Sequence, residues 1–318
     1  MKSKNLEKDS LKSRIGLALY KYKYIYILLI PIVAYVIIFS YFPLYGAQLA
    51  FKEYNASKGI WGSEWIGLAN FRRMFTEAGF LNALKNTVTI SLINLFGGCL
   101  WPPILAILFS ELRMTKYKRV LQVTYTFPHF LNWVILSGII YSMFGSEGIV
   151  NAALNALGFE DQNLLTNPGT FRIFLLVTGV WKSAGWSSIM YIAIITAIDK
   201  NLYEASALDG ASRIQRIWYV TIPEIAPIFS LGFIMAFGGL LSGNFEQIFN
   251  LYNSTLYEVA DTIDTYLYRI SFMQEPSYGY STAVGFTNSV VSCILMFSFN
   301  ALQKRLGGTG MFEGGVRG

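Results

Sequence analysis

The polar side chains that interrupt the apolar runs of this chain are the ones able to do chemistry, and Lys182 is the most exacting of them. It stands eleven residues into the run Phe171–Ile198, about 16 Å along a helix rising 1.5 Å per residue. An ammonium facing lipid at that depth is costly, so it is expected to face a water-filled path or a partner group. Trp181 and Trp186 flank it, and an indole combines a flat apolar face with a polar edge, which suits a sugar ring. At the outer end of the next run, Asn244-Phe245-Glu246-Gln247 supplies a carboxylate acceptor and amides that both donate and accept. Hydroxyl-rich ligands call for that mixture. Trp133, beside Asn132, and Asn288 are weaker candidates, because an amide within a span commonly bonds a neighbouring helix. The candidate substrate path therefore comprises Lys182, Trp186, Asn244, Glu246, Gln247 and Trp133.

None of these groups forms a bond-breaking constellation. The single histidine, His129, follows Pro128 and has no acid–base partner to name, and one histidine cannot build a multi-histidine metal centre. There is no His-Glu-x-x-His, Cys-x-x-Cys, nucleophile elbow or phosphate-cradling P-loop. Cys99 and Cys293 both fall in apolar runs and are expected to be free thiols. The chemistry on offer is recognition and passage, with neither catalysis nor a cofactor of its own.

The elements that must hold these groups are membrane helices. The 318 residues are 53% hydrophobic and 14% charged, against about 25% charged in an average soluble domain. A hydrocarbon core of about 30 Å takes about 20 apolar helical residues. Six runs meet that length: 25–46, 86–110, 120–144, 171–198, 225–243 and 282–302. Together they make a six-helix domain over residues 25–302, after a basic N-terminal segment 1–24 and before a tail 303–318. Alternating ten-residue strands of a barrel are missing, so the class is all-α. Gly97-Gly98, Pro102-Pro103 and Pro128 fall inside runs and predict bends within a packed bundle.

The net charge of +6 follows topology and implies no nucleic acid. With a cytoplasmic N-terminus, 17 of the 25 Lys and Arg residues fall inside: seven before the first span, four in 113–119, three in 200–216 and three after Leu302. That asymmetry places both termini in the cytoplasm of a multi-pass plasma-membrane protein. A secondary transporter would couple through intramembrane acids, and the six runs contain none.

The loop 199–223 is cytoplasmic in this arrangement. Asn201 is a plausible cap, Glu204 falls in the first helical turn where the dipole favours an acid, and Ala205 and Ala207 favour helix. Gly210 allows the chain to turn through positive φ. A second amphipathic piece then sets Ile214, Ile217 and Trp218 on one face, and Pro223 is expected to break it as the fifth span begins. The outcome is a rigid knob projecting from the membrane.

Glu204-Ala205-Ser206, three residues, Gly210, nine residues, and Val220-Thr221-Ile222-Pro223 resemble the loop by which permease subunits of ABC importers dock onto their ATPase. Ser206 stands where that pattern has Ala. From about Lys21 to Leu306 the chain resembles permeases of carbohydrate importers of the oligosaccharide and polysaccharide type, related to the maltose-transporter permeases. The closer likeness rests on Tyr41-Phe42-Pro43-Leu44-Tyr45-Gly46, Trp65-Ile66-Gly67-Leu68-Ala69-Asn70-Phe71, Phe127-Pro128-His129-Phe130, Gly243-Asn244-Phe245-Glu246-Gln247 and Thr282-Ala283-Val284-Gly285. The resemblance implies a type I importer fold, and a heterodimer with a second, homologous permease. It also implies two ATPase subunits that bind ATP and Mg, and an extracellular sugar-binding lipoprotein that delivers an oligosaccharide. The implied coupling residues are Glu204, Ala205, Ser206, Asp209, Gly210, Ala211, Arg213 and Pro223. A permease for a non-sugar solute is the alternative within the class.

Overall fold

The computed structural model describes residues 20–112, 114–160, 164–241 and 244–305. Most of the basic N-terminal segment, the tail beyond Arg305, Arg113 and Gly243 lie outside the described residues. Six helices are long and apolar enough to cross a membrane: Lys23–Phe51, Ala78–Glu111, Trp133–Ala156, Pro168–Ala197, Arg213–Gly238 and Tyr278–Leu302.

The first span is apolar all round, and its opening helix Lys23–Val36 buries no residue, as expected of a helix bathed in lipid. The second bends at the expected breakers. A wide π turn covers Asn94–Gly98, and the helix restarts at Trp101 with Pro102 and Pro103 in its first turn, where a missing N–H leaves no bond unmade.

Two expectations from the sequence are corrected. The run 120–144 is not one rod: a helix Thr115–Thr126 gives way to a 3-10 turn Phe127–Phe130, and a new helix begins at Trp133. Pro128 lacks the N–H that would carry the helix on, and Asn132 caps the next helix by accepting from the Ile135 N–H at 2.9 Å. The second correction concerns Pro223, which does not end the helix before it. A π turn over Ile217–Thr221 joins Arg213–Arg216 to Ile222–Gly238, with Pro223 at the start of the latter. Widening the turn moves the preceding carbonyls away from the pyrrolidine ring, so the helix runs from the knob into the bilayer without interruption.

Outside the bundle, Lys52–Glu53 pairs antiparallel with Glu64–Trp65, and Phe51 stacks on Trp65 with centroids 5.5 Å apart. Between the fifth and sixth spans, the short helices Phe245–Leu251 and Ile263–Tyr268 fold back onto the bundle. Their apolar faces supply two cores. Ile248 and Leu251 pack with Ile90, Ile140 and Phe171, while Ile263 and Tyr266 pack with Phe80 and Tyr280. A third core, around Tyr191 and Ile225, joins the fourth and fifth spans further along.

Candidate functional site

The knob is built by two caps and a turn. Asp199, rather than Asn201, caps its first helix: the Asp199 carboxylate accepts from the Asn201 N–H at 2.9 Å. An acid there adds charge to the capping bond and meets the positive end of the dipole. The helix Lys200–Leu208 ends in a Schellman motif, with Ala211 N–H donating to Ser206 O at 2.9 Å and Gly210 N–H to Ala207 O at 3.1 Å. That closure needs a left-handed residue, and Gly210 takes it at φ +78°. The next helix opens with a capping box, in which the Ser212 N–H donates to Gln215 Oε1 at 2.8 Å and the Gln215 N–H to Ser212 Oγ. The Ser-x-x-Gln spacing carries that signal in the sequence, but the reading of the loop passed over it.

Glu204, Ala205, Asp209, Gly210, Arg213 and Pro223 are exposed, while Ser206 and Ala211 are half-buried. Leu208 is 91% exposed, and Ile214 and Trp218 are also bare. The face expected to collect Ile214, Ile217 and Trp218 exists, with only Ile217 partly covered. The knob touches its own bundle chiefly through Tyr203, whose hydroxyl lies 2.9 Å from Thr221 Oγ1. Beside that contact a polar cavity of about 320 Å³ is lined by Glu111, Tyr203, Arg213 and Arg216.

The path candidates separate into two groups. Lys182 falls at the middle of its thirty-residue helix. Its ammonium donates to His129 O at 3.0 Å and to Leu131 O, and it lies 5.6 Å from the Trp133 ring centroid. Trp186 stacks on His129 with centroids 4.7 Å apart and planes 1° from parallel. Phe130 meets Trp186 edge-on. The third and fourth spans thus bring Lys182, Trp186 and Trp133 together around the break at Leu131-Asn132. Asn244 and Glu246 are exposed and stand next to Gln247 in the chain. Gln247 itself is fully buried, its amide donating to Leu175 O at 2.7 Å and Thr178 Oγ1 at 2.9 Å. Its N–H donors are spent on the fourth span, while its Oε1 accepts from the Asn244 amide at 3.4 Å. Trp181, on another face, lines an apolar cavity of about 580 Å³ with Ile139, Met143 and Val177.

A polar knot between the second span, the fourth span and the segment 257–269 escaped the sequence reading. Arg172 donates to Val259 O at 3.0 Å and Asn86 Oδ1 at 2.8 Å, and Asn86 in turn donates to Glu258 O and Asp261 O. Asp261 accepts from Thr265 and pairs with Arg269, whose guanidinium also lies over the Tyr257 and Tyr266 rings. Burial, aided by the Asp261 carboxylate, pushes the neighbouring Tyr252 phenol up to about 12. These residues are far apart in sequence, and only the charge of Arg172 inside an apolar run hinted that something must meet it.

Residues 104–308 match the family described as binding-protein-dependent transport system inner membrane component. The chain is 36% identical over 306 residues to the polygalacturonan/rhamnogalacturonan transport system permease protein YteP of Bacillus subtilis, covering 96% of this chain and 95% of that protein. It is 30% identical over 250 residues to the maltose/maltodextrin transport system permease protein MalF of Escherichia coli, covering 71% and 48% respectively. Among solved structures, a bacterial alginate ABC transporter in complex with alginate pentasaccharide-bound periplasmic protein superposes with a TM-score of 0.86. The two are 33% identical over 94% of this chain and 100% of that one. With its bundle of six membrane-crossing helices and its projecting knob, the chain belongs to the binding-protein-dependent transport system inner membrane components, and its fold is that of an ABC importer permease.

Proposed function

We propose that the chain is one transmembrane half of an ATP-driven importer that passes an oligosaccharide delivered by an extracellular binding protein. The observation that carries the reading is the exposed knob at 199–216, continuous with the fifth span and with no fully buried residue in either of its helices. A doubly capped surface with bare Leu208, Ile214 and Trp218 calls for a protein partner. In this reading the partner is one of two ATPase subunits, which carry the ATP and Mg. Glu204, Ala205, Ser206, Asp209, Gly210, Ala211 and Arg213 then form the coupling face, and Pro223 marks the entry to the span.

Both termini are cytoplasmic, a second homologous permease completes the path, and the binding lipoprotein docks on the opposite side. The saccharide cargo named for the relatives, polygalacturonan/rhamnogalacturonan and alginate, favours a sugar over other solutes. Trp133, Trp186, Asn244 and Glu246 form the wall that the sugar passes, with Gln247 holding the outer helix against it from behind. ATP binding closes the ATPase pair, moves the knob and tilts the spans between inward-open and outward-open arrangements, a rigid-body transition.

The test is co-purification of the chain with the products of neighbouring genes, followed by reconstitution in vesicles. Sugar-loaded binding protein is expected to stimulate ATP hydrolysis and uptake together. A stable native complex without any ATPase overturns the reading.

A further inference from the structure

In an unbroken helix His129 O would accept the Trp133 N–H and Leu131 O the Ile135 N–H. The third span forgoes both bonds, because Asn132 Oδ1 takes the Ile135 N–H and the backbone leaves the helical path at Leu131. Carbonyls orphaned within a membrane must find other donors. Both are met by one group, the Lys182 ammonium of the fourth span, which thereby uses two of its three N–H donors.

The same face of the fourth span continues the contact one turn on. Gly185 lets the Tyr125 carbonyl approach so closely that an added Cβ would lie 2.1 Å from it. Trp186 stacks flat on His129. Lys182, Gly185 and Trp186 therefore form a strip that grips the third span just before, at and after its break, and Trp133, the first helical residue beyond the break, sits against the ammonium.

We propose that Lys182 is a positioning residue: its ammonium replaces the two helical hydrogen bonds lost at Leu131-Asn132 and so fixes the angle at which Trp133 and the His129–Trp186 pair face the transport path. The role assigned to the path rests on the importer reading, whereas the clamp on the backbone does not. Lys182 acts on cargo only through the aromatic rings it holds in place.

The experiment compares Lys182→Met and Lys182→Arg with the unsubstituted chain in the complete complex in vesicles. Lys182→Met is expected to lower maximal sugar-stimulated uptake by roughly tenfold or more and to leave the half-saturating concentration of sugar-loaded binding protein within about twofold. Lys182→Arg, which can still donate to two carbonyls, restores most of the rate. A second readout is independent of transport: amide exchange of 131–136 in the full-length chain in nanodiscs accelerates in Lys182→Met and returns toward the original rate in Lys182→Arg. If Lys182→Met fails to assemble, the exchange of Lys182→Arg alone decides, since an unprotected 131–136 segment there removes the clamp.

A shifted half-saturation or altered sugar preference, with exchange unchanged, overturns the proposal and makes Lys182 a cargo ligand. Unchanged rate together with unchanged exchange also overturns it. Altered exchange in Lys182→Met, where the unsubstituted complex itself moves no sugar, retains the clamp and removes the importer reading.

Discussion

The knot around Asp261 and the knob around Gly210 solve opposite problems. In the knot, Asn86, Arg172, Asp261 and Arg269 are joined by buried bonds among three segments, and the Asp261 side chain is only 3% exposed. In the knob nearly every bond is local, within four or five residues, and Leu208 is 91% exposed. The first region is closed largely within this chain, with Arg269 Nε buried and without a partner; the second is preformed and exposed, as the proposed coupling face. Buried polar groups left without partners are expensive, so a region lacking any outside partner must satisfy itself. A docking surface gains instead from being stiff before contact, since little ordering is then left to oppose binding.

The contrast breaks most readily at the knot. Arg269→Met leaves the Asp261 carboxylate buried without its cation and is expected to cost about 3–5 kcal/mol, seen as a large fall in the thermal midpoint of the purified chain; a midpoint unmoved by more than about 2 °C removes the knot as a source of stability. At the knob the effect should appear in association instead. Leu208→Ala is expected to weaken capture of the ATPase by about 1.5–3 kcal/mol, the value of burying that side chain, while the stability of the isolated chain stays within about 0.5 kcal/mol. Equal losses in both measurements would erase the distinction between the regions.

Smaller effects sharpen it. Gly210→Val forces a β-branched residue to φ +78° at a cost of about 1–2 kcal/mol, and uptake per ATP hydrolysed is expected to fall with insertion intact; an unchanged ratio dissociates the turn from coupling. Ser212→Ala removes one bond of the capping box for about 1 kcal/mol. Faster amide exchange confined to 213–217 would check it, and exchange spreading into the knot at 257–269 would contradict the separation.

What the sequence made legible was what is local or compositional. The six-helix class follows from hydrophobic run length, and the left-handed turn at Gly210 follows from a glycine closing a short helix. The break beside Pro128 was visible as a breaker but not as the start of a new helix, although Asn132 three residues before Ile135 is a cap signal. The knot was invisible because its three segments, at Asn86, at Arg172 and at 257–269, lie far apart in the chain, with bonds spanning 86 to 175 residues, and none is in a motif; bonds of that reach exist only once the fold is closed. Gln247 looked like a ligand group because the amide is the same whether it meets a sugar or the Leu175 carbonyl. Burial alone distinguishes the two.

The π turn at Ile217–Thr221 keeps the segment Arg213–Gly238 helical throughout. Its 26 residues measure about 39 Å end to end. Moving as one lever, with Pro227 as its one internal proline beyond the first turn, the segment would sweep its far end through ~3 Å when the knob end tips by ~5°, about the reach of a hydrogen bond. A flexible link at Pro223 would have absorbed that stroke in the loop. The widened turn delivers it to the opposite leaflet.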